Sequence, residues 1–190
     1  MKALLAIITA TERALEWIAD LTGWLFVVLA GVICFDVLTR KVGFQIPGFG
    51  STMLQELEWH LHSVIFSWWL GFNYLLNSHP RVDTFTAAMS TRKKAIVELT
   101  GCLIFALPFT WMLLWYGIDF VTFSYKIGEA SDATNGLGKR WIIKSFFYFG
   151  LVLLMVGVLA MTTRCLLSLF GPKALREKAA PRLSGAALSV

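Results

Sequence analysis

The chain has 190 residues, of which only 15% are charged and 57% are hydrophobic. A soluble domain carries about 25% charged residues, so a chain with a mean hydropathy of +0.67 has too little polar surface to be a soluble enzyme. The net charge of +5 does not indicate a nucleic-acid partner, because the cations flank apolar blocks as membrane topology requires.

Residues 1–20 have the pattern of an amphipathic helix. Glu12, Glu16 and Asp20 recur every four residues and share one face, while the large apolar residues lie mostly away from it. We therefore predict a helix that lies in the membrane interface. A cleaved signal peptide is the alternative, since Lys2 precedes a short apolar run.

Four apolar blocks follow, each close to the ~20 residues that cross a bilayer. They cover residues 21–38, 57–76, 95–118 and 145–163. We predict an all-α integral membrane protein with four transmembrane helices. Its four-helix membrane domain covers residues 21–170, and a cytoplasmic tail follows over residues 171–190.

The second block opens with ionisable side chains, which at membrane depth should face protein, water or headgroups. Glu58 and His62 lie one helical turn apart and can form a hydrogen bond. This pair fits either a proton relay or metal site, or a contact with a neighbouring helix. The contact is favoured, because the sequence offers no third ligand nearby and no HExxH motif.

Small residues continue this helix at the same spacing. Ser63, Ser67 and Gly71 recur every four residues, and such a stripe lets a neighbouring backbone approach closely in lipid. The stripe can pack within the bundle or against another subunit. We assign it, together with Glu58 and His62, to subunit packing.

Two polar connections carry the other candidate residues. The turn after the second block contains Arg81 and Asp83, which can pair with each other or with a partner chain, or can simply cap the helix and be solvated. We include them among the packing residues. The long loop 119–144 carries charges of both signs and suits either a docking surface or a solvated loop. The residues assigned to docking are Glu129, Arg140 and Lys144.

The distribution of cations predicts the orientation of the chain. If the N-terminus is cytoplasmic, the inside segments hold eleven Lys and Arg residues and the outside loops hold six. The positive-inside rule then places both termini in the cytoplasm and the loop 119–144 on the outer side.

In their order and spacing, these stretches resemble the small membrane subunit of the tripartite ATP-independent periplasmic (TRAP) transporters, the DctQ family. The matching stretches are residues 36–40, 55–62, 79–83, 128–131 and 140–144. Two turns depart from the family pattern. Pro80 stands where an aliphatic residue is usual, and Gly138 stands where a proline is usual.

The resemblance implies a small, non-catalytic scaffold subunit of a sodium-coupled system that takes up an organic acid. It implies a one-to-one complex with a large permease subunit, which holds the substrate and sodium sites, and a periplasmic substrate-binding protein as the third component. It also implies a multi-pass protein of the bacterial inner membrane, without a catalytic residue, cofactor or metal of its own.

A four-helix cytochrome b or quinone-type membrane anchor of an oxidoreductase is the alternative function. Haem ligation by two histidines needs them on facing helices at matched depth. His60 and His62 lie two residues apart on one predicted helix, so this alternative is disfavoured.

Overall fold

The computed structural model describes residues 2–44, 50–76, 89–173 and 176. The regular secondary structure of these residues is helical, which confirms the all-α prediction for them. The α-helices are α1 (Lys2–Gly23), α2 (Leu25–Val42), α3 (Ser51–Leu75), α4 (Thr91–Gly101), α5 (Leu107–Lys126) and α6 (Trp141–Phe170). Arg81, Asp83 and most of the predicted tail 171–190 lie outside the described residues.

Two pairs of these helices join into longer rods. Trp24, between α1 and α2, keeps right-handed helical angles (φ −64°, ψ −24°), so the helix continues through residue 20, where we predicted a boundary. Between α4 and α5 the backbone makes a π-helical turn over Cys102–Ala106. Pro108 lacks an N–H group and its ring crowds the carbonyl four residues earlier, and a π turn at this point accommodates both effects.

α3 runs antiparallel to the rod formed by α1 and α2. At one end, Ser51 Oγ donates a 2.8 Å hydrogen bond to Asp36 Oδ1. Further along, Trp69 Nε1 donates a 2.9 Å hydrogen bond to the carbonyl oxygen of Ala19. These contacts pair the start of α3 with the end of α2, and the later part of α3 with α1.

α3 and α6 run parallel and touch backbone to backbone. A Cβ atom added at Gly150 would lie 2.6 Å from Ser67 Cβ, and one added at Gly157 would lie 2.5 Å from the carbonyl oxygen of Gly71. Ser67 and Gly71 are both buried. They therefore pack within the chain, which was one of the two predicted uses of the stripe, and they leave no surface for another subunit.

α5 packs antiparallel to α6 and completes the bundle. The rings of Tyr125 and Trp141 meet edge to face, with centroids 5.3 Å apart. Near the middle of the two helices, a Cβ atom added at Gly117 would lie 2.8 Å from the ring of Tyr148. The rods of the bundle thus alternate in direction along the chain.

The buried face of α1 differs from the predicted one. Glu12 is only 2% exposed and binds the guanidinium of Arg164 in α6 through both carboxylate oxygens, with 2.6 Å between Nη2 and Oε2. Glu16 and Asp20 are exposed as expected, but the assignment of Glu12 to the same polar face is wrong. A buried carboxylate is tolerated here because a buried cation pairs with it.

Three helical stretches of the described chain are long and apolar enough to cross a membrane, namely Ala3–Val42, Thr91–Lys126 and Trp141–Phe170. α3 is not among them, although it has 25 residues and at 1.5 Å per residue extends over ~37 Å. Its first turns carry the acids and histidines of the second predicted block, which lower its hydropathy.

Candidate functional site

One end of the bundle carries polar side chains from three parts of the chain. We name this group the loop cluster and define it as five residues. They are Glu56 from α3, Glu129, Ser131 and Arg140 from the loop between α5 and α6, and Lys144 from α6. The cluster therefore contains all three residues that the sequence assigned to docking.

The loop leaves α5 in a fixed direction, because α5 ends in a Schellman motif. Gly128 has a φ of +61°, its N–H donates to the carbonyl oxygen of Tyr125, and the N–H of Glu129 donates to that of Ser124. Glycine suits this position, since left-handed angles strain other residues. The loop then returns to its own start, where Arg140 N donates to Glu129 O over 2.9 Å.

Glu56 of α3 binds the loop through its carboxylate. Its carboxylate accepts hydrogen bonds from Ser131 Oγ and from the backbone N–H of Leu137, and Arg140 Nη2 lies 3.6 Å from its Oε1. A Cβ atom added at Gly136 would overlap Ser131 Oγ and lie 2.8 Å from Glu56 Oε1. The close approach of loop and carboxylate thus requires glycine at position 136.

Sequence reasoning did not assign Glu56 to a site. Glu56 and His60 lie one helical turn apart, but His60 Nδ1 contacts the backbone carbonyl of Glu56 and not its carboxylate. The usable signal was an acid in the first turns of α3, next to an apolar block, with no cation one turn away on the same helix. Such an acid needs a partner from elsewhere in the chain.

Lys144 holds the other side of the loop. Its Nζ donates to Glu129 Oε2 and lies 4.0 Å from the ring centroid of Phe120, close enough for a cation–π contact. The hydrogen bond from Lys144 holds the pKa of Glu129 below its usual range. Glu129 is therefore charged at neutral pH, and its ion pair is lost only as the pH falls through this lowered pKa.

The charges of the loop divide into an inner and an outer set. The side chains of Arg140 and Glu129 are each 24% exposed, and that of Lys144 is 16% exposed. Asp132 and Lys139 are exposed instead. The inner charges fix the shape of the loop, and the outer ones face solvent, where they can meet a partner.

The comparison with protein families gives a match over residues 29–168, to the family described as tripartite ATP-independent periplasmic transporters, DctQ component. The matched range contains the whole loop cluster and most of the chain. This chain belongs to the DctQ family. It is thus a small subunit of a TRAP transporter, a multi-pass membrane component that works with a large permease and a substrate-binding protein. Comparison with curated proteins and with solved structures gave no match.

The other predicted packing residues that the structure describes lie on α3. Glu58 is half-buried, and its Oε1 has no hydrogen-bond partner among the described residues. His62 is exposed, with its ring 6.1 Å from that of Phe66. The described hydrogen bonds include none between Glu58 and His62, so the predicted bond is not formed. Ser63 Oγ donates to the carbonyl oxygen of Trp59 over 2.7 Å.

The histidines of α3 contact neighbours on their own helix. The His60 ring stacks on that of Trp59 with centroids 4.0 Å apart, while the His62 ring faces that of Phe66. Within residues 2–44, 50–76 and 89–173, no three His, Cys, Asp or Glu side chains come together as a metal site.

A second polar group in the DctQ chain ties α2 to α3. Asp36 is fully buried, accepts the hydrogen bond from Ser51, and lies 2.7 Å from Arg40 Nη2. α2 ends at Val42, and the φ of +74° at the following Gly43 again belongs to a Schellman motif. The sequence stretch 36–40, part of the family resemblance, therefore fixes how the first rod meets α3.

Proposed function

We propose that this DctQ chain is the small, non-catalytic scaffold subunit of a sodium-coupled TRAP transporter for an organic acid. It forms a one-to-one complex with the large permease subunit and receives the substrate-loaded binding protein at the loop cluster. The observation that carries the proposal is that Glu56 and Lys144 hold the charged loop against α3 and α6.

The scaffold role is supported by the contact between α3 and α6. Helices that touch through Ser67, Gly71, Gly150 and Gly157 cannot slide past each other without steric overlap, because interiors are close-packed. A fixed helix pair that carries a fixed loop provides a stable surface. Substrate and sodium sites then belong to the permease, where moving elements are needed for transport.

We propose four membrane crossings, with both termini in the cytoplasm of a bacterial inner membrane. The antiparallel contacts of α3 with the first rod, from Ser51 to Trp69, support α3 as the crossing that hydropathy alone does not indicate. In this orientation the loop cluster lies in the periplasm. The first residues of α1, before Glu12, lie in the cytoplasmic interface.

The docking role is supported by the division of charges in the loop. Asp132 and Lys139 are exposed and can steer a charged protein toward this surface, as rim charges do at other interfaces. Glu129, Arg140 and Lys144 contribute by presenting the loop in one shape. None of these residues contacts the transported molecule in this proposal.

The permease contact is supported by the exposed edge of α3. His62 is exposed on α3 and Glu58 is half-buried beside it, and ionisable side chains at membrane depth need polar partners. We assign Glu58, His62 and Ser63 to this contact, with Arg81 and Asp83 from the turn that follows α3.

Reconstitution of the three components tests the proposal. We expect sodium-dependent uptake of an organic acid by proteoliposomes only when this chain, the permease and the binding protein are all present, and a 1:1 mass ratio of the two membrane subunits. Full uptake without this chain, or uptake by this chain alone, would contradict the scaffold role.

A further inference from the structure

Two cavities on the outer side of α5 and α6 share a wall. The first has a volume of about 280 Å³, lies beside the loop cluster and is lined by Trp59 and Lys144 among others. The second has a volume of about 220 Å³ and lies between α5 and α6, next to Leu113. Phe120 and Phe147 line both cavities, so the two are adjacent along α5 and α6, and together we call them the groove.

The groove changes from charged to apolar along the helix axis. Its charged mouth contains Glu129, Arg140 and Lys144. From Lys144 to Leu151, which lines the apolar part, α6 advances by ~10 Å at 1.5 Å per residue. A ligand that fits the whole groove therefore has a charged head at the mouth and an apolar tail that extends about 10 Å along α6.

The mouth has one more positive than negative charge. Lys144 uses one of its three N–H donors on Glu129, and the Arg140 side chain is 24% exposed. Glu56 does not line the groove, but its Oε1 lies 3.6 Å from Arg140 Nη2 and partly compensates that charge, so the mouth depends chiefly on Lys144 to bind an anion. The mouth thus offers N–H donors on cationic side chains, which suit a phosphodiester.

We infer that this groove binds a glycerophospholipid, with its phosphodiester at Lys144 and Arg140 and one acyl chain along Phe120, Phe147 and Leu113. The position of the mouth supports a lipid, because Trp141 and Tyr125 lie at the same end of the helices, where aromatic residues mark the headgroup level. The inference does not depend on the proposed docking role of the loop.

Native mass spectrometry of the purified full chain in detergent tests this inference. We expect the chain to retain one molecule of added phosphatidylethanolamine or phosphatidylglycerol, and to retain diacylglycerol with the same acyl chains several-fold less. Lys144→Met removes the charge that binds the phosphate, and Leu113→Trp fills the apolar part of the groove. Each should reduce phospholipid retention several-fold while the helix content by circular dichroism is unchanged.

Two matched variants serve as controls. Lys126→Met removes an exposed charge from the end of α5, and Leu103→Trp adds the same bulk to an exposed position outside the groove; both should retain phospholipid as the original chain does. Equal retention by all variants, or equal retention of diacylglycerol, would overturn the inference. So would loss of the permease, without loss of lipid, in Leu113→Trp, because the groove would then be a subunit contact.

Discussion

Glu56 is the residue on which the position of the loop depends most. Replacement by Gln removes the charge that faces Arg140 and weakens the acceptor for Leu137 N–H, and an unmet buried polar group costs about 1–3 kcal/mol. We expect Glu56→Gln to raise the hydrogen-exchange rate of residues 131–140 about tenfold, equivalent to ~1.4 kcal/mol. Exchange followed by mass spectrometry at neutral pH measures this.

Glu58→Gln is the matched control for Glu56→Gln, since it makes the same charge change two residues further along α3. Glu58 has no described contact with the loop, so exchange in residues 131–140 should not change. If Glu56→Gln also left this exchange unchanged, Glu56 would not hold the loop.

The buried Glu12–Arg164 ion pair is expected to contribute to the stability of the fold. Removing one member of a buried ion pair leaves the other charge uncompensated and costs about 3–5 kcal/mol, whereas replacing both members by apolar residues costs much less. We therefore expect Glu12→Leu and Arg164→Leu each to lower the thermal stability of the purified chain more than the double variant does. Additive losses in the double variant would show that the two side chains do not stabilise each other.

Helix α3 meets α6 so closely at Gly71 that even one methyl group is excluded. A Cβ atom there would overlap the carbonyl oxygen of Leu153, and overpacking of this kind costs about 1–3 kcal/mol. We expect Gly71→Ala to lower the melting temperature of the chain purified without the permease. Nothing lies within 4 Å of a Cβ atom at Gly31 in α2, so Gly31→Ala should have no such effect.

A different outcome for Gly71→Ala would restore the other interpretation of the small-residue stripe. If the melting temperature of the isolated chain were unchanged and only the complex with the permease dissociated, the stripe would face the permease. The contact with α6 would then not be the one that stabilises the fold.

Helices of this chain could be predicted from local pattern, but their long-range partners could not. Apolar length and periodicity depend on neighbouring residues, so they indicated α2, α3, the rod formed by α4 and α5, and α6 within about two turns of their bounds. Glu12 was placed on a polar face because its spacing to Glu16 and Asp20 is local information. Its partner Arg164 is 152 positions away, and no pattern in α1 indicates it.

The loop cluster shows the same difference between local pattern, which the sequence reveals, and long-range contacts, which it does not. Glu129, Arg140 and Lys144 could be grouped from the sequence because they share one connection between two predicted helices, and their docking role stays a prediction. Glu56 was missed, since its partners Ser131 and Leu137 lie 75 and 81 positions away. The sequence also did not indicate that Glu129 and Lys144 bind each other, or that Asp132 and Lys139 are the exposed charges of the loop.

The topology of the whole molecule follows from the number of crossings. With α3 as a fourth crossing both termini lie on one side of the membrane, whereas three crossings would place them on opposite sides. We expect a periplasmic reporter to be active when fused after residue 135, and a cytoplasmic reporter to be active at the C-terminus. Export of the C-terminal reporter would contradict the four-crossing arrangement.

The dependence of uptake on binding-protein concentration tests most directly whether the loop cluster is a docking surface. We expect Lys139→Glu and Arg140→Glu, in the reconstituted complex, to raise the half-saturating concentration of binding protein several-fold at low salt. Lys139 is a rim charge, which acts mainly on the encounter rate, whereas Arg140→Glu places an acid beside Glu56 and so displaces the loop. The maximal rate should be unchanged, and the difference should shrink at high ionic strength. Lys93→Glu, an exposed change at the opposite end of the rod formed by α4 and α5, should behave like the original chain. Unchanged half-saturation in both loop variants, or altered substrate selectivity at unchanged half-saturation, would contradict the docking role.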